Sequence, residues 1–224
     1  MPGLRWHYLV LKVRAILLLV AGRRAAALAV FERMLQLVPA DGYALASLAH
    51  VQMQLHQVGA AIASLQALTG TARLGADGAV PWFNLGYALA QAGRSAEAVS
   101  AFRAALARDP QLDRAWYGLA LVLMEERQFS GAVEALEKNT ALQPMSPHGW
   151  YRLAQVWLAL GEVEKALSVV ARLRGFEPRV AAQLERENPL LRVAPAKGQT
   201  QRKRAPGTNG SRVIPQGEAR DAAH

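Results

Sequence analysis

Apolar positions along this chain recur at helical spacing and, over a longer distance, in blocks of constant length. Trp82, Leu85, Gly86 and Leu89 fall at i, i+3, i+4 and i+7, which is one face of a helix. Gly93 then stands where a left-handed residue suits the end of that helix. Ser95 reads as the N-cap of a second helix, with Glu97 in its first turn, where the helix dipole favours an acid. Ala98, Phe102, Ala105 and Leu106 form the second apolar stripe. Asp109-Pro110 closes it, because proline has no N–H to donate and disfavours helix in the residue before it.

The same block returns every 34 residues: Trp82, Trp116 and Trp150; Leu85, Leu119 and Leu153; Ala98, Ala132 and Ala166; Pro110, Pro144 and Pro178. Four residue types held in one frame three times over mark an internal repeat. Carried back by 37 residues, the frame lands on Leu45, Leu48, Ala49 and Ala61, and a further step of 34 reaches Ala27, with Phe31 and Pro39 also fitting. The extra residues fall at 69–78, rich in Gly, Ala and Thr, and predict a longer loop between repeats. About five helix pairs follow, at 8–41, 42–78, 79–112, 113–146 and 147–178. The first two depart most: Leu45 replaces the aromatic, and Arg14 lies where a core would want Leu. Residues 179–188 predict one more amphipathic helix through Val180, Ala181 and Leu184, capping the last apolar face. From 189 to 224 the composition turns to Gly, Pro, Gln, Thr, Arg and Lys, a basic tail expected to be disordered.

The run Trp82-Phe83-Asn84-Leu85-Gly86-Tyr87-Ala88, the run Gly161-Glu162-Val163-Glu164-Lys165-Ala166 and the closing prolines together resemble the tetratricopeptide repeat family. The resemblance implies an all-α fold: a right-handed superhelical array of about five helix–turn–helix repeats, an α-solenoid with a C-terminal capping helix. It also implies a scaffold or adaptor that binds a protein or peptide, with the first helix of each repeat lining the concave face. The face beside the packing positions carries Phe83, Asn84 and Tyr87, then Arg114, Tyr117, Leu121 and Met124, then Tyr151, Arg152 and Gln155. His50 and Met53 hold the matching places in the second repeat. In the family an aromatic at Phe83, Tyr117 and Tyr151 commonly packs between repeats, whereas the places of Tyr87, Leu121 and Gln155 vary. Asn84, Arg152 and the nearby Arg114 stand where some members grip a peptide carboxylate. The other polar members of such a clamp are missing, with Gly118, Ala46 and Leu121 in their stead. Apolar anchoring of an extended or helical peptide is therefore the expected mode.

Composition refines this picture. The 52% of hydrophobic residues is ample for a core, and the absence of Cys excludes disulfides, thiolate metal sites and cysteine nucleophiles. The five His are scattered, and no HExxH, glycine-rich phosphate loop or nucleophile elbow is present, so no catalytic residue, metal or cofactor is expected. The net charge of +9 gathers at the ends, in Arg5, Lys12, Arg14, Arg23 and Arg24 and in Lys197, Arg202, Lys203, Arg204 and Arg212. No aromatic interleaves with the tail's charges, so nucleic acid is not the expected partner; a nucleic-acid or anionic-membrane surface is the alternative to the peptide groove. The apolar stretch 15–22 is far shorter than the roughly 20 residues of a spanning helix and reads as a buried helix of the first repeat. A cytoplasmic protein is expected, with peripheral membrane contact through that stretch as the alternative. The excess of Arg over Lys fits a bacterial source.

Overall fold

A computed structural model describes residues 2–70 and 78–192. Helices α1 (Pro2–Val20) and α2 (Arg24–Leu37) form the first pair, α3 (Gly42–Gln54) and α4 (Val58–Thr69) the second, and α5 (Ala79–Gln91) and α6 (Ser95–Arg108) the third. α7 (Asp113–Glu125) with α8 (Phe129–Leu142) and α9 (Pro147–Ala159) with α10 (Val163–Phe176) complete the array. α11 (Pro178–Glu187) and a 3₁₀ turn at Pro189–Leu191 follow. There is no strand among the described residues. Each helix packs on the next, while α5 also meets α7 and α9 meets α11. This is the all-α repeat array that the spacing predicts.

The frame read from the sequence is the frame of the core. Leu48, Leu85, Leu119 and Leu153 are buried, and Ala27, Ala61, Ala98, Ala132 and Ala166 have no exposed surface at all. One apolar cluster runs from Leu45 to Leu191; a second joins Leu11, Ala15, Ala27, Phe31, Met34 and Leu48 across α1, α2 and α3. Helices approach closely where glycine permits. A Cβ at Gly86 would lie 2.8 Å from the Phe102 ring, and one at Gly118 would lie 2.7 Å from it. Gly118 is thus the seat of a core phenylalanine wedged between α5 and α7.

Each pair turns through one left-handed residue: Gly22, His56, Gly93, Arg127 and Gly161, with φ of 71°, 59°, 71°, 58° and 78°. The following N–H reaches back to a carbonyl of the finished helix in every case. Arg23 donates to Leu18 at 2.8 Å, Gln57 to Gln52 at 2.8 Å, Arg94 to Leu89 at 2.9 Å, Gln128 to Leu123 at 2.8 Å and Glu162 to Trp157 at 2.8 Å. These bonds satisfy carbonyls that a helix end leaves without partners. Ser95 does not act as an N-cap. α6 already includes it, Arg94 takes the cap position without a side-chain cap bond, and Arg94 instead binds Glu97 at 2.7 and 2.6 Å. Asp41 does cap α3, accepting from the Ala44 N–H at 2.7 Å and from the Tyr8 hydroxyl at 2.6 Å. Burial, followed by the Asp41 hydrogen bond, pushes the Tyr8 phenol up. That contact pins α1 to the start of α3.

The ends of the array depart from the sequence expectation. α1 begins at Pro2, not near residue 8, and Arg14 is exposed because Leu11 and Ala15 supply the buried contacts in its stead. Stretch 15–22 is not a buried helix throughout. Ala15 is buried and Leu18 and Leu19 are half-buried against α2, but Ile16, Leu17 and Val20 face outward, because no described element covers that side of α1. At the other end Ala181 and Leu184 of α11 are buried as expected, and Leu191 beyond them is fully buried as well. The compact unit therefore runs to Arg192 instead of stopping at 188. Residues 193–224, where the disordered basic tail is expected, and residues 71–77 of the longer interrepeat loop lie outside the described residues. Trp116 and Trp150 donate their indole N–H to the carbonyls of Pro110 and Pro144 at 2.9 and 3.0 Å. The buried Trp82 indole N–H has no such partner among the described residues. The matching position, residue 76, lies outside the described residues.

Candidate functional site

A cavity of about 400 Å³ lies between α3 and α5. α3 contributes Ala46, Ala49, His50, Met53 and Gln54, α5 contributes Phe83, Asn84 and Tyr87, and Leu65 reaches in from α4. Ala46 lines this space in the place that Phe83, Tyr117 and Tyr151 hold in the later repeats. Its walls are mainly apolar. Polar groups sit at the rim, where His50 Nε2 lies 2.9 Å from Gln54 Nε2 and the Asn84 side chain is exposed. Tyr87 is 50% exposed, an amphipathic ring standing free at the mouth. Phe83 is half-buried, its ring 6.0 Å from that of Phe102, with the Arg114 guanidinium 5.1 Å above its face. Phe83 thus packs between repeats and also forms one wall.

A second, smaller cavity of about 270 Å³ brings Tyr117, Tyr151 and Arg152 together with Pro147 and His148 and with Val180 and Gln183 of α11. Here the capping helix takes the place of a next inner helix. The Tyr151 hydroxyl donates to Glu187 at 2.6 Å, and Gln183 donates to the other Glu187 oxygen at 2.8 Å. The hydrogen bond to Glu187, ahead of burial, pushes the Tyr151 phenol up. The same bond, with that from Gln183, pulls the Glu187 carboxyl down. Arg152 is turned along its own helix to Gln155 at 3.0 Å. Leu121 and Met124 are half-buried on α7 and line neither cavity.

The ten residues singled out from the sequence therefore divide. Phe83, Asn84 and Tyr87 share the larger cavity with His50 and Met53; Tyr117, Tyr151 and Arg152 share the smaller one; Arg114 covers Phe83; Gln155 holds Arg152. Ala49, Gln54 and Leu65 line the larger cavity without having been singled out as groove residues, and Ala46 stood out only as a missing polar group. Their signal in the sequence is weak, since an alanine on a helix face marks an open space only once its neighbours are placed. Among the described residues no group of three or more His, Asp or Glu side chains is placed to hold a metal ion.

Family profiles described as tetratricopeptide repeat match residues 47–113, 89–150 and 123–186. Solved structures similar to the chain include MamA, at 21% identity and TM-score 0.66, covering 77% of this chain and 95% of that one. YrrB, a TPR protein with an unusual peptide-binding site, is 17% identical with TM-score 0.66, covering 77% of this chain and 88% of that one. TTC0263, a thermophilic TPR protein of Thermus thermophilus, is 23% identical with TM-score 0.52, covering 80% of this chain and 97% of that one. At these identities the likeness concerns the fold. A search of curated protein sequences finds no match.

Proposed function

The chain belongs to the tetratricopeptide repeat family, and from that premise we propose that it is a scaffold or adaptor, not an enzyme, holding a peptide or protein partner along the inner row of helices. The observation that carries this reading is the apolar cavity between α3 and α5, open at its mouth and edged by His50, Gln54, Asn84 and Tyr87. A volume of about 400 Å³ falls within the range of small binding pockets, enough for one or two apolar side chains of a partner. Burying such anchors supplies the affinity, and the rim amides and imidazole supply hydrogen bonds to the partner's backbone. Leu121, Met124 and Gln155 extend the same inner row along α7 and α9. YrrB, which has a peptide-binding site on a similar fold, lends support by analogy.

A carboxylate clamp is the weaker mode. Arg114 is engaged over Phe83 and Arg152 with Gln155, so two of its three candidate members already have partners within the chain. The test begins with peptides selected by display on the immobilised full-length chain, whose affinity is then read by fluorescence anisotropy. Met53→Arg combined with Tyr87→Arg should weaken the selected peptides at least about tenfold, as expected when anchors in a desolvated pocket are lost, with the helical circular dichroism retained. Undiminished affinity in that double variant would refute the groove.

A further inference from the structure

The face of α1 turned away from α2 has no counterpart among the described residues. Trp6, Leu9, Val10, Val13, Ile16, Leu17 and Val20 are all exposed, from 43% at Ile16 to 82% at Val20. Their steps of three and one place them on a single strip about 120° wide and about 20 Å long, given 100° and 1.5 Å per helical residue. Leu11 and Ala15 occupy the opposite side and are buried. A helix apolar all round is ordinarily enclosed; this one is covered on one side only. An apolar patch of this extent, several hundred Å², marks an interaction surface.

The charges beside the strip say what it meets. α1 contains no acidic residue, while Arg5 borders the strip on one side and Arg14 on the other, both exposed. Lys12 is already committed, its ammonium 4.0 Å above the Tyr43 ring, and Arg24 binds Gln54 at 2.7 Å. Arg23 adds an exposed cation in the turn that follows. Pairing the strip with a second copy would bring arginine borders together without a carboxylate on either helix to meet them, and like charges at an interface oppose association. An anionic lipid surface offers both an apolar layer for the strip and phosphates for the borders. Trp6, at one end of the strip, is the residue type favoured at the boundary between headgroups and acyl chains. No helix among the described residues is long and apolar enough to cross a membrane.

We propose that α1 lies in the plane of an anionic bilayer, its apolar strip seated at headgroup depth and Arg5 and Arg14 against lipid phosphates. The cavity between α3 and α5 is on other helices, so docking through α1 leaves the groove reading independent. The test is flotation of the full-length protein with vesicles of phosphatidylcholine and phosphatidylglycerol, against vesicles of phosphatidylcholine alone, with size-exclusion light scattering in parallel. The protein should float at least tenfold more with anionic vesicles, and Val13→Glu with Leu17→Glu should abolish flotation. That variant should keep the wild-type thermal midpoint, since both side chains are exposed. Arg5→Gln with Arg14→Gln should reduce the preference for anionic vesicles, whereas Arg202→Gln, Lys203→Gln and Arg204→Gln together should leave flotation by α1 in place. Four results would overturn the proposal. They are a protein that stays with the soluble fraction, a Val13→Glu/Leu17→Glu variant that still floats, flotation that depends on the tail substitutions alone, or a dimer in solution that the α1 substitutions dissociate.

Discussion

At the scale of single residues, the turns carry the sharpest lesson. His56 and Arg127 adopt the left-handed backbone that Gly22, Gly93 and Gly161 adopt at the equivalent places. An L-residue with a Cβ is strained there by about 1–2 kcal/mol, while glycine is not, although glycine gives back part of the gain through the entropy of the unfolded chain. Arg127→Gly should therefore raise stability by about 0.5–1 kcal/mol, read as a shift in the denaturation midpoint with unchanged slope. A loss of stability would mean that the Arg127 side chain holds more than the backbone strain costs. Neither residue announces its conformation in the sequence. Glycine at 93 reads as a helix stop by itself, but histidine and arginine do so only when the repeat frame is laid over them. Ser95 shows the converse. It is a good capping residue by type, yet α6 starts one position too early for it to cap.

At the scale of elements, helix starts at 42, 79, 113 and 147 coincide with the expected repeat boundaries. Pro39, Pro110 and Pro144 precede α3, α7 and α9 and apolar stripes run through all four, so their starts were legible. α1 was not, since its added N-terminal turns carry no capping signal and its outward face is apolar like its inward one. The closing element was half legible. Val180, Ala181 and Leu184 predict α11, but Leu191 follows Pro189 in a segment whose composition reads as tail, and only its burial reveals that the core extends there.

The junction of α9 with α11 also has a pH signature, through Tyr151 and Glu187. The Glu187 carboxyl is held below its ordinary value. Its contribution is therefore in place above the unfolded value, about 4.3, and is lost as pH falls through the folded one. The Tyr151 phenol is held above its ordinary value. Its contribution is whole below the unfolded value, about 10, and is lost as pH rises through the folded one. The stability difference between wild type and Tyr151→Phe should be largest near neutral pH and shrink toward both extremes, as followed by chemical denaturation. A difference that stays constant from acid to alkali would show that this hydrogen bond does not couple the cap to the array.

At the scale of the whole molecule, one repeated spacing dictates which residues are buried. The alanines at 27, 61, 98, 132 and 166 are all fully buried, although the step between the second and third is 37. The three added residues leave the frame of buried alanines undisturbed. The buried frame was thus legible. The cavity between α3 and α5 was not, because it lies where Ala46 stands in place of an aromatic, across that long step.

Hydrogen exchange read by mass spectrometry, with and without a peptide selected on the full-length chain, tests the scaffold reading most directly. Amide opening slows where a ligand stabilises the closed state, so added protection should concentrate in α3 and α5, around His50–Met53 and Phe83–Tyr87. Protection confined to the outer helices α4, α6 and α8, or absent from α3 and α5, would contradict the account.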